Sequence, residues 1–358
     1  MKIKYIGNFN DGTGWAKAST YNALALDAAG HDVYCEEKKY NNNNIVLESK
    51  IEELMAKTTD SFDVIVQHVL PPDYKYYQGV KNVGFVELET LTLSHTLWLK
   101  KLNSMDEIWV ANHGSMQCLE NSGISKDKIK VLPHFFNIEK VKKTNEQIRV
   151  PELDGTFNFI FTGEFSKRKN LEALIFAFNN EFDISEPVNL VIKTNVAQNT
   201  VGDFIDSVKD RMRKGSKYKK EIVITGYMEQ EALNSIVSNC HAFVIPSYGE
   251  AWCYPAIESM ALGLVPIYTH GIGVQDFDVC GFAVESRIIP CYGAVDTLPD
   301  LYTSNDYWLE INPFDLQKKM REVYYTYMTN RDYFASLSKI CIEKADLYDY
   351  NNSKMIEV

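Results

Sequence analysis

The sequence predicts an α/β protein made of two consecutive, doubly wound parallel-sheet domains. Three observations carry this expectation. The chain has 358 residues, more than one average domain and close to two of about 150–200 residues each. Short apolar runs of strand length alternate with amphipathic stretches of helix length along most of it. The alternation lapses once, between residues 134 and 155, into a charged stretch with no apolar period. That lapse reads as a linker. It divides the chain into a first domain at 1–150, a second at 151–328 and a helical tail at 329–358.

In order, residues 2–7 are apolar enough for a strand and run into a Gly/Asn/Asp loop at 8–15. Residues 19–29 carry Tyr21, Leu24 and Ala28 on one helical face, and Gly30 supplies a C-cap. A second strand follows at 31–35. This strand, loop, helix, strand opening starts a parallel sheet. Strands at 62–67, 82–86, 107–111 and 128–133 then alternate with helices at 50–57, 97–103 and 116–121, the last stopped by Gly123. The second cycle places strands at 157–162, 188–193, 222–225, 242–246 and 265–269. Helices lie between them at 171–179, 203–214 and 229–238, and another begins at Pro255, since proline is favoured in the first turn. Helices at 316–327 and 332–348 close the chain.

Composition narrows the classes. A hydrophobic content of 45% supports full cores, and no run of 18 apolar residues predicts a membrane span. The N-terminus enters a strand without the apolar core of a signal peptide. Seven cysteines without a C-x-x-C pair read as thiols in a reducing cytoplasm, not as a disulfide framework. A net charge of −11 argues against a surface that coats nucleic acid. One segment runs the other way: Lys209, Arg211, Arg213, Lys214, Lys217, Lys219 and Lys220 share 209–220 with one acid, Asp210. It reads either as a solvated helix and loop or as a site for an anionic acceptor or partner.

The most informative segment is 249–263, G-E-A-W-C-Y-P-A-I-E-S-M-A-L-G. Glu250 lies in a loop after an apolar strand, and Glu258 lies about one turn into the next helix, eight positions on. That spacing puts one carboxylate at a cleft mouth and aims the other into the cleft from the helix. The helix N-terminus adds N–H groups and a positive dipole end that favour an anion. Two hydroxyl-binding acids beside a phosphate-binding helix end suit a nucleotide sugar.

The segment resembles the E-x7-E signature of retaining GT-B glycosyltransferases, the large family 4, whose usual form is roughly E-G-F-G-L-P-x-x-E-A-M-A-x-G-x-P-V-I. Glu250, Trp252 for the family's Phe, Pro255, Glu258, Met260, Ala261, Gly263, Pro266 and Ile267 match. Ala251 and Cys253 stand where the family has glycines that let the backbone approach the donor sugar, and Tyr254 stands for Leu. The resemblance implies a GT-B fold, two Rossmann-like domains facing a central cleft, with a C-terminal helix crossing back onto the first domain. It places Ala251, Trp252, Cys253 and Tyr254 with the two glutamates around the donor.

Other positions fit that frame. Gly12, Thr13 and Gly14 follow the first strand, where glycines allow close approach to a phosphate or sugar. They form only G-x-G and read equally as a tight turn, but resemble the family's N-terminal glycine loop over the donor pyrophosphate. Lys167, Arg168 and Lys169 follow the first strand of the second half, where fixed cations stabilise a departing diphosphate. Lys169 fits the lysine of the family's G-R-x(n)-K-G element. Glu164 takes the usual arginine's place, with Arg168 as its substitute. Glu87 and Glu89 end a strand at the edge where α/β sites lie and read as acceptor-side residues or as a helix N-cap. His68 reads as structural. Gly226, Tyr227 and Met228 flank the nucleobase by resemblance, and Lys193 and Thr194 face the cleft without an assigned role. No cluster has zinc spacing, so no metal and no cofactor is expected beyond a UDP- or GDP-sugar co-substrate.

The expected reaction is transfer of a hexose or pentose to an acceptor hydroxyl with retention, with Glu250, Lys169 and Arg168 as the catalytic group. The acceptor stays open among a glycan, a lipid-linked sugar, a protein, and a hydroxymethylated base flipped from DNA held along 209–220, as in viral DNA glycosyltransferases. A non-catalytic nucleotide-sugar binder is the reading from another class. The chain is expected to be a monomer or homodimer.

Overall fold

The computed structural model describes residues 1–42, 45–144, 148–213, 217–278, 280–292, 301–352 and 356. The first half of the chain builds its own parallel sheet. Its strands are β1 (Lys2–Gly7), β2 (Asp32–Glu37), β3 (Val64–His68), β4 (Lys81–Phe85), β5 (Glu107–Val110) and β6 (Ile129–Val131), in the order β2-β1-β3-β4-β5-β6. The helices between them are α1 (Gly14–Ala28), α2 (Ser49–Ala56), α3 (Thr96–Asn103) and α4 (His113–Asn121). Every residue of β3 is buried, as expected of a central strand covered by helices on both faces.

Helix α1 starts five residues earlier than its apolar face suggests. Thr13 is its N-cap, accepting from the Ala16 amide at 3.2 Å. Thr13 and Gly14 therefore belong to the helix entrance, and only Gly12, with φ +73°, takes the left-handed turn.

The stretch 134–155 is not a free linker. Phe135 and Phe136 are fully buried, and Asn137 caps a short helix, α5 (Ile138–Lys142). The main chain of Phe136 pairs with the chain end: its amide donates to Tyr348 O at 3.1 Å, and the Tyr350 amide donates to Phe136 O at 3.0 Å. Two adjacent phenylalanines among charges have no period to read, so only tertiary packing reveals them.

The second sheet comprises β7 (Phe157–Thr162), β8 (Val188–Lys193), β9 (Ile222–Ile224), β10 (Ala242–Ile245), β11 (Val265–Thr269) and β12 (Phe282–Val284), in the order β12-β11-β10-β7-β8-β9. Its helices are α6 (Leu171–Glu181), α7 (Gln198–Met212), α8 (Gln230–Val237) and α9 (Tyr254–Ala261). Pro255 is the second residue of α9, not the first. An antiparallel pair, β13 (Ser286–Pro290) and β14 (Tyr307–Ile311), follows. The sequence reading has no counterpart for it or for β12, because the pair is joined by a long connection without a tight-turn signal. Helices α10 (Pro313–Thr329) and α11 (Arg331–Asp346) end the fold.

Three side chains of the basic segment fasten it internally, while Arg213, Lys217 and Lys220 are exposed. Lys209 pairs with Glu221 at 2.5 Å and Arg211 with Glu172 at 2.8 Å. The Lys219 ammonium donates to the carbonyl of Glu186 at 2.7 Å. Lys214 lies outside the described residues. No helix among the described residues is long and apolar enough to cross a membrane, and all seven cysteines are free thiols.

Candidate active site

A cleft of about 820 Å³ opens between the carboxyl ends of the two sheets, the edge where parallel α/β sheets place ligands. Gly12, Thr13, Gly14, Glu87, Glu89, Arg168, Lys169, Glu250, Ala251, Trp252, Cys253, Tyr254 and Glu258 all line it, as do Lys193 and Thr194. Met228 does not: β9 ends at Ile224, and Met228 packs half-buried against the hydrophobic core.

The wall from the second half is built on two strand-to-helix turns. After β7, Arg168 and Lys169 turn toward the loop after β10. Lys169 Nζ lies 2.7 Å from Glu250 Oε1, and Arg168 Nη1 lies 3.2 Å from Glu250 Oε2 and 2.7 Å from Gly249 O. Burial on its own would raise the Glu250 carboxyl, but the charges of Lys169 and Arg168 outweigh it and bring it down to about 2. Cys253 holds φ +77° at the entrance to α9, the left-handed conformation in which glycine carries no Cβ penalty. The backbone here takes a conformation suited to glycine, imposed on a cysteine. Burial pushes its thiol up to about 12, so it is no thiolate nucleophile.

The first-half wall is acidic and aromatic. Glu89 Oε2 lies 3.0 Å from Arg168 Nε and accepts from the Tyr302 hydroxyl. Burial raises its carboxyl against the pull of Arg168. Glu87 joins two histidines: its Oε1 is 2.9 Å from His68 Nε2 and 2.8 Å from His134 Nε2, the latter off the axis of a good hydrogen bond. Burial opposes the Glu87 charge, yet His134 and His68 together hold its carboxyl well below the usual range.

These three side chains gather potential metal-ligand atoms within 4.8 Å of one another, a cluster invisible to sequence spacing because three separate strand ends supply it. The hydrogen bonds give His134 another role. The Phe135 amide donates to Asn22 Oδ1, which turns the Asn22 Nδ2 toward His134 Nδ1 at 2.9 Å. His134 Nδ1 is then an acceptor, its proton resides on Nε2 facing Glu87, and the ring presents a donor there, not a ligand lone pair. His68, read from sequence as structural, accepts or donates at 2.7 Å with the Tyr5 hydroxyl and so also orients Glu87.

The two walls touch. Lys17 of α1 pairs with Glu258 of α9. The Asn112 amide donates to Ala251 O, and the Tyr254 hydroxyl donates to Phe135 O at 2.9 Å. A Cβ on Gly249 would lie 1.8 Å from Glu89 O, so only glycine permits this approach. Lys17, His134 and Tyr302 escaped the sequence reading. Lys17 lies between the loop read at 8–15 and the helix read from 19, His134 in a stretch read as linker, and Tyr302 in a stretch without a predicted element.

Comparison with solved structures decides the architecture. The Anabaena protein HepE in complex with UDP-glucose superposes with a TM-score of 0.65 at 12% identity, covering 99% of this chain and 98% of that one. A glycosyltransferase from Rickettsia africae gives 0.65 at 13% identity, over 98% and 95% of the two chains. Sucrose-phosphate synthase from Thermosynechococcus elongatus gives 0.63 at 15% identity, over 99% and 96%. The fold is GT-B. Residues 143–277 match the family model described as glycosyl transferases group 1, and this GT-B lobe carries Arg168, Lys169, Glu250 and Glu258. No curated protein matches the chain.

Proposed function

We propose that this protein transfers a sugar from a nucleotide-sugar donor to an acceptor hydroxyl, with retention of anomeric configuration. One observation carries the reading. Glu250, Glu258, Lys169 and Arg168 meet the Gly12–Gly14 turn around one cleft in a GT-B fold. The group 1 glycosyltransferase match across 143–277 supports glycosyl transfer, and the UDP-glucose bound by HepE favours a UDP-sugar donor. In this reading 1–150 is the acceptor-side domain, 151–328 holds the donor, and 329–358 crosses back onto the first domain.

The roles follow from position and charge. Glu250, held ionised, orients donor-sugar hydroxyls and is no covalent nucleophile, since two cations occupy its oxygens. Glu258 takes the ribose hydroxyls and exchanges Lys17 for them. Lys169, Arg168 and the N-terminus of α9 stabilise charge on the leaving diphosphate. That diphosphate accepts the acceptor proton on the same face, which gives retention. The resemblance at E-x7-E supports the stereochemistry.

A thermal-shift screen of UDP- and GDP-sugars, followed by UDP release and mass spectrometry of products, tests the proposal. A UDP-sugar is expected to raise Tm and to be turned over with an acceptor. Stabilisation by nucleotide sugars with no turnover under any acceptor would leave a binder, and no stabilisation at all would refute the reading.

A further inference from the structure

Resting on the nucleotide-sugar reading, we infer that the acceptor is an uncharged polyol, a neutral saccharide or the neutral sugar end of a larger molecule. We also infer that Tyr302, delivered by the connection between β13 and β14, is the residue that selects it.

Four lysines and arginines line the cleft among the described residues: Lys17, Arg168, Lys169 and Lys193. Lys17 is bound to Glu258. Arg168 and Lys169 are bound to Glu250. Lys193 donates to the carbonyl of Gly226 at 2.7 Å. Lys17, Lys169 and Lys193 thus point to the donor end, and Arg168 spans the two ends, its guanidinium shared between Glu250 and Glu89. The opposite end presents the carboxylates of Glu87 and Glu89. A phosphorylated sugar, a DNA backbone or an anionic lipid head would meet two like charges there, and the cation at hand, Arg168, is already shared between Glu89 and Glu250. A hydroxyl group donates to a carboxylate, so a polyol meets matched partners.

The shape of the acceptor end agrees with its charge. Beside these carboxylates the wall is apolar and aromatic, with Trp15, Leu70, Trp98, Leu301 and Tyr302. Trp15 stacks on Tyr40, whose hydroxyl accepts from the Leu70 amide at 2.9 Å. Leu301 packs against the cluster that contains Trp98. Flat apolar faces next to carboxylates suit a pyranose, which offers C–H groups on its faces and hydroxyls at its edge.

The second lobe reaches this end through a fixed anchor. Asp306, fully buried, accepts from the Ser94 amide at 2.7 Å and the Ser94 hydroxyl at 2.8 Å. The Leu91 amide donates to Tyr307 O at 2.8 Å. Residues 306–307 are therefore fastened to the first lobe at 91–94, and Tyr302 reaches across to Glu89 beside that anchored base. A wall carried by one lobe and fixed to the other sets the width of the acceptor end.

Saturation-transfer NMR on the full chain with UDP present tests this, using glucose and mannose beside their 6-phosphates. The neutral sugars should bind at least about tenfold more tightly than their phosphates. Tyr302→Ala should weaken neutral-sugar binding by about tenfold and leave UDP affinity, measured by calorimetry, unchanged. Tyr302→Phe keeps the ring and should retain most of the binding, which separates loss of the wall from loss of fold. Equal responses to the neutral and phosphorylated forms, two blanks included, would overturn the proposal, as would a Tyr302→Ala protein that binds like the wild type. UDP failing to bind would count against the nucleotide-sugar reading, whereas the neutral-to-phosphate ratio reports on the acceptor end by itself.

Discussion

The two walls of the cleft are built by different means. The second-lobe wall comes from two short, contiguous turns, 167–169 and 249–258, each fixed by the strand before it and the helix after it. The first-lobe wall is assembled from single residues at separate strand ends and from a visitor: His68, Glu87, Glu89, His134 and Tyr302. The first arrangement concentrates cations against Glu250. The second disperses carboxylates among rings. In the proposed reaction the leaving diphosphate is common to many donors, so one compact cationic turn would serve them all. A varied hydroxyl partner calls for a surface that can change one residue at a time.

Experiments can break or sharpen that contrast, the largest expected effect first. Lys169→Ala removes a cation that no first-lobe residue replaces, and turnover measured by UDP release should fall by about 10²–10³-fold. A wild-type rate would mean the cationic wall does no chemistry. Gly249→Ala attacks the contact between the walls. Its Cβ would fall 1.8 Å from the Glu89 carbonyl, so the lobes must part there, at a cost of about 2–3 kcal/mol in denaturant unfolding. Gly202→Ala, with nothing within 4 Å of the added carbon in α7, is the control and should not destabilise.

The charge of Glu250 predicts an acid limb. Its folded carboxyl is brought down to about 2 from an ordinary 4.5, so its contribution to stability is complete above pH 4.5 and disappears as the pH falls through about 2. Wild type and Glu250→Gln should therefore differ in stability at neutral pH and converge in acid. A gap that persists at pH 2 would place the effect in packing instead. The smallest effect belongs to Met228→Ala. Because Met228 is outside the cleft, the KM for donor should stay within about twofold of wild type. A larger change would extend the donor site to the loop after β9.

Sequence by itself determined the alternation of strands and helices, because a period of two or 3.6 in apolar residues is local information. It also marked the second-lobe wall of the cleft, since Glu250, Arg168 and Lys169 follow strands within a few residues and Glu258 comes eight positions after Glu250 in the next helix. What only the tertiary structure decided is non-local. Strand order at the sheet edge brings His68, Glu87 and His134 onto one carboxylate. The burial of Phe135 and Phe136 turns an apparent linker into a brace for the chain end. A long connection between β13 and β14 carries Tyr302 to Glu89, 213 positions away. No periodicity encodes such a meeting, because the free energy that fixes it comes from packing and desolvation between elements and not from the conformational preference of any one of them.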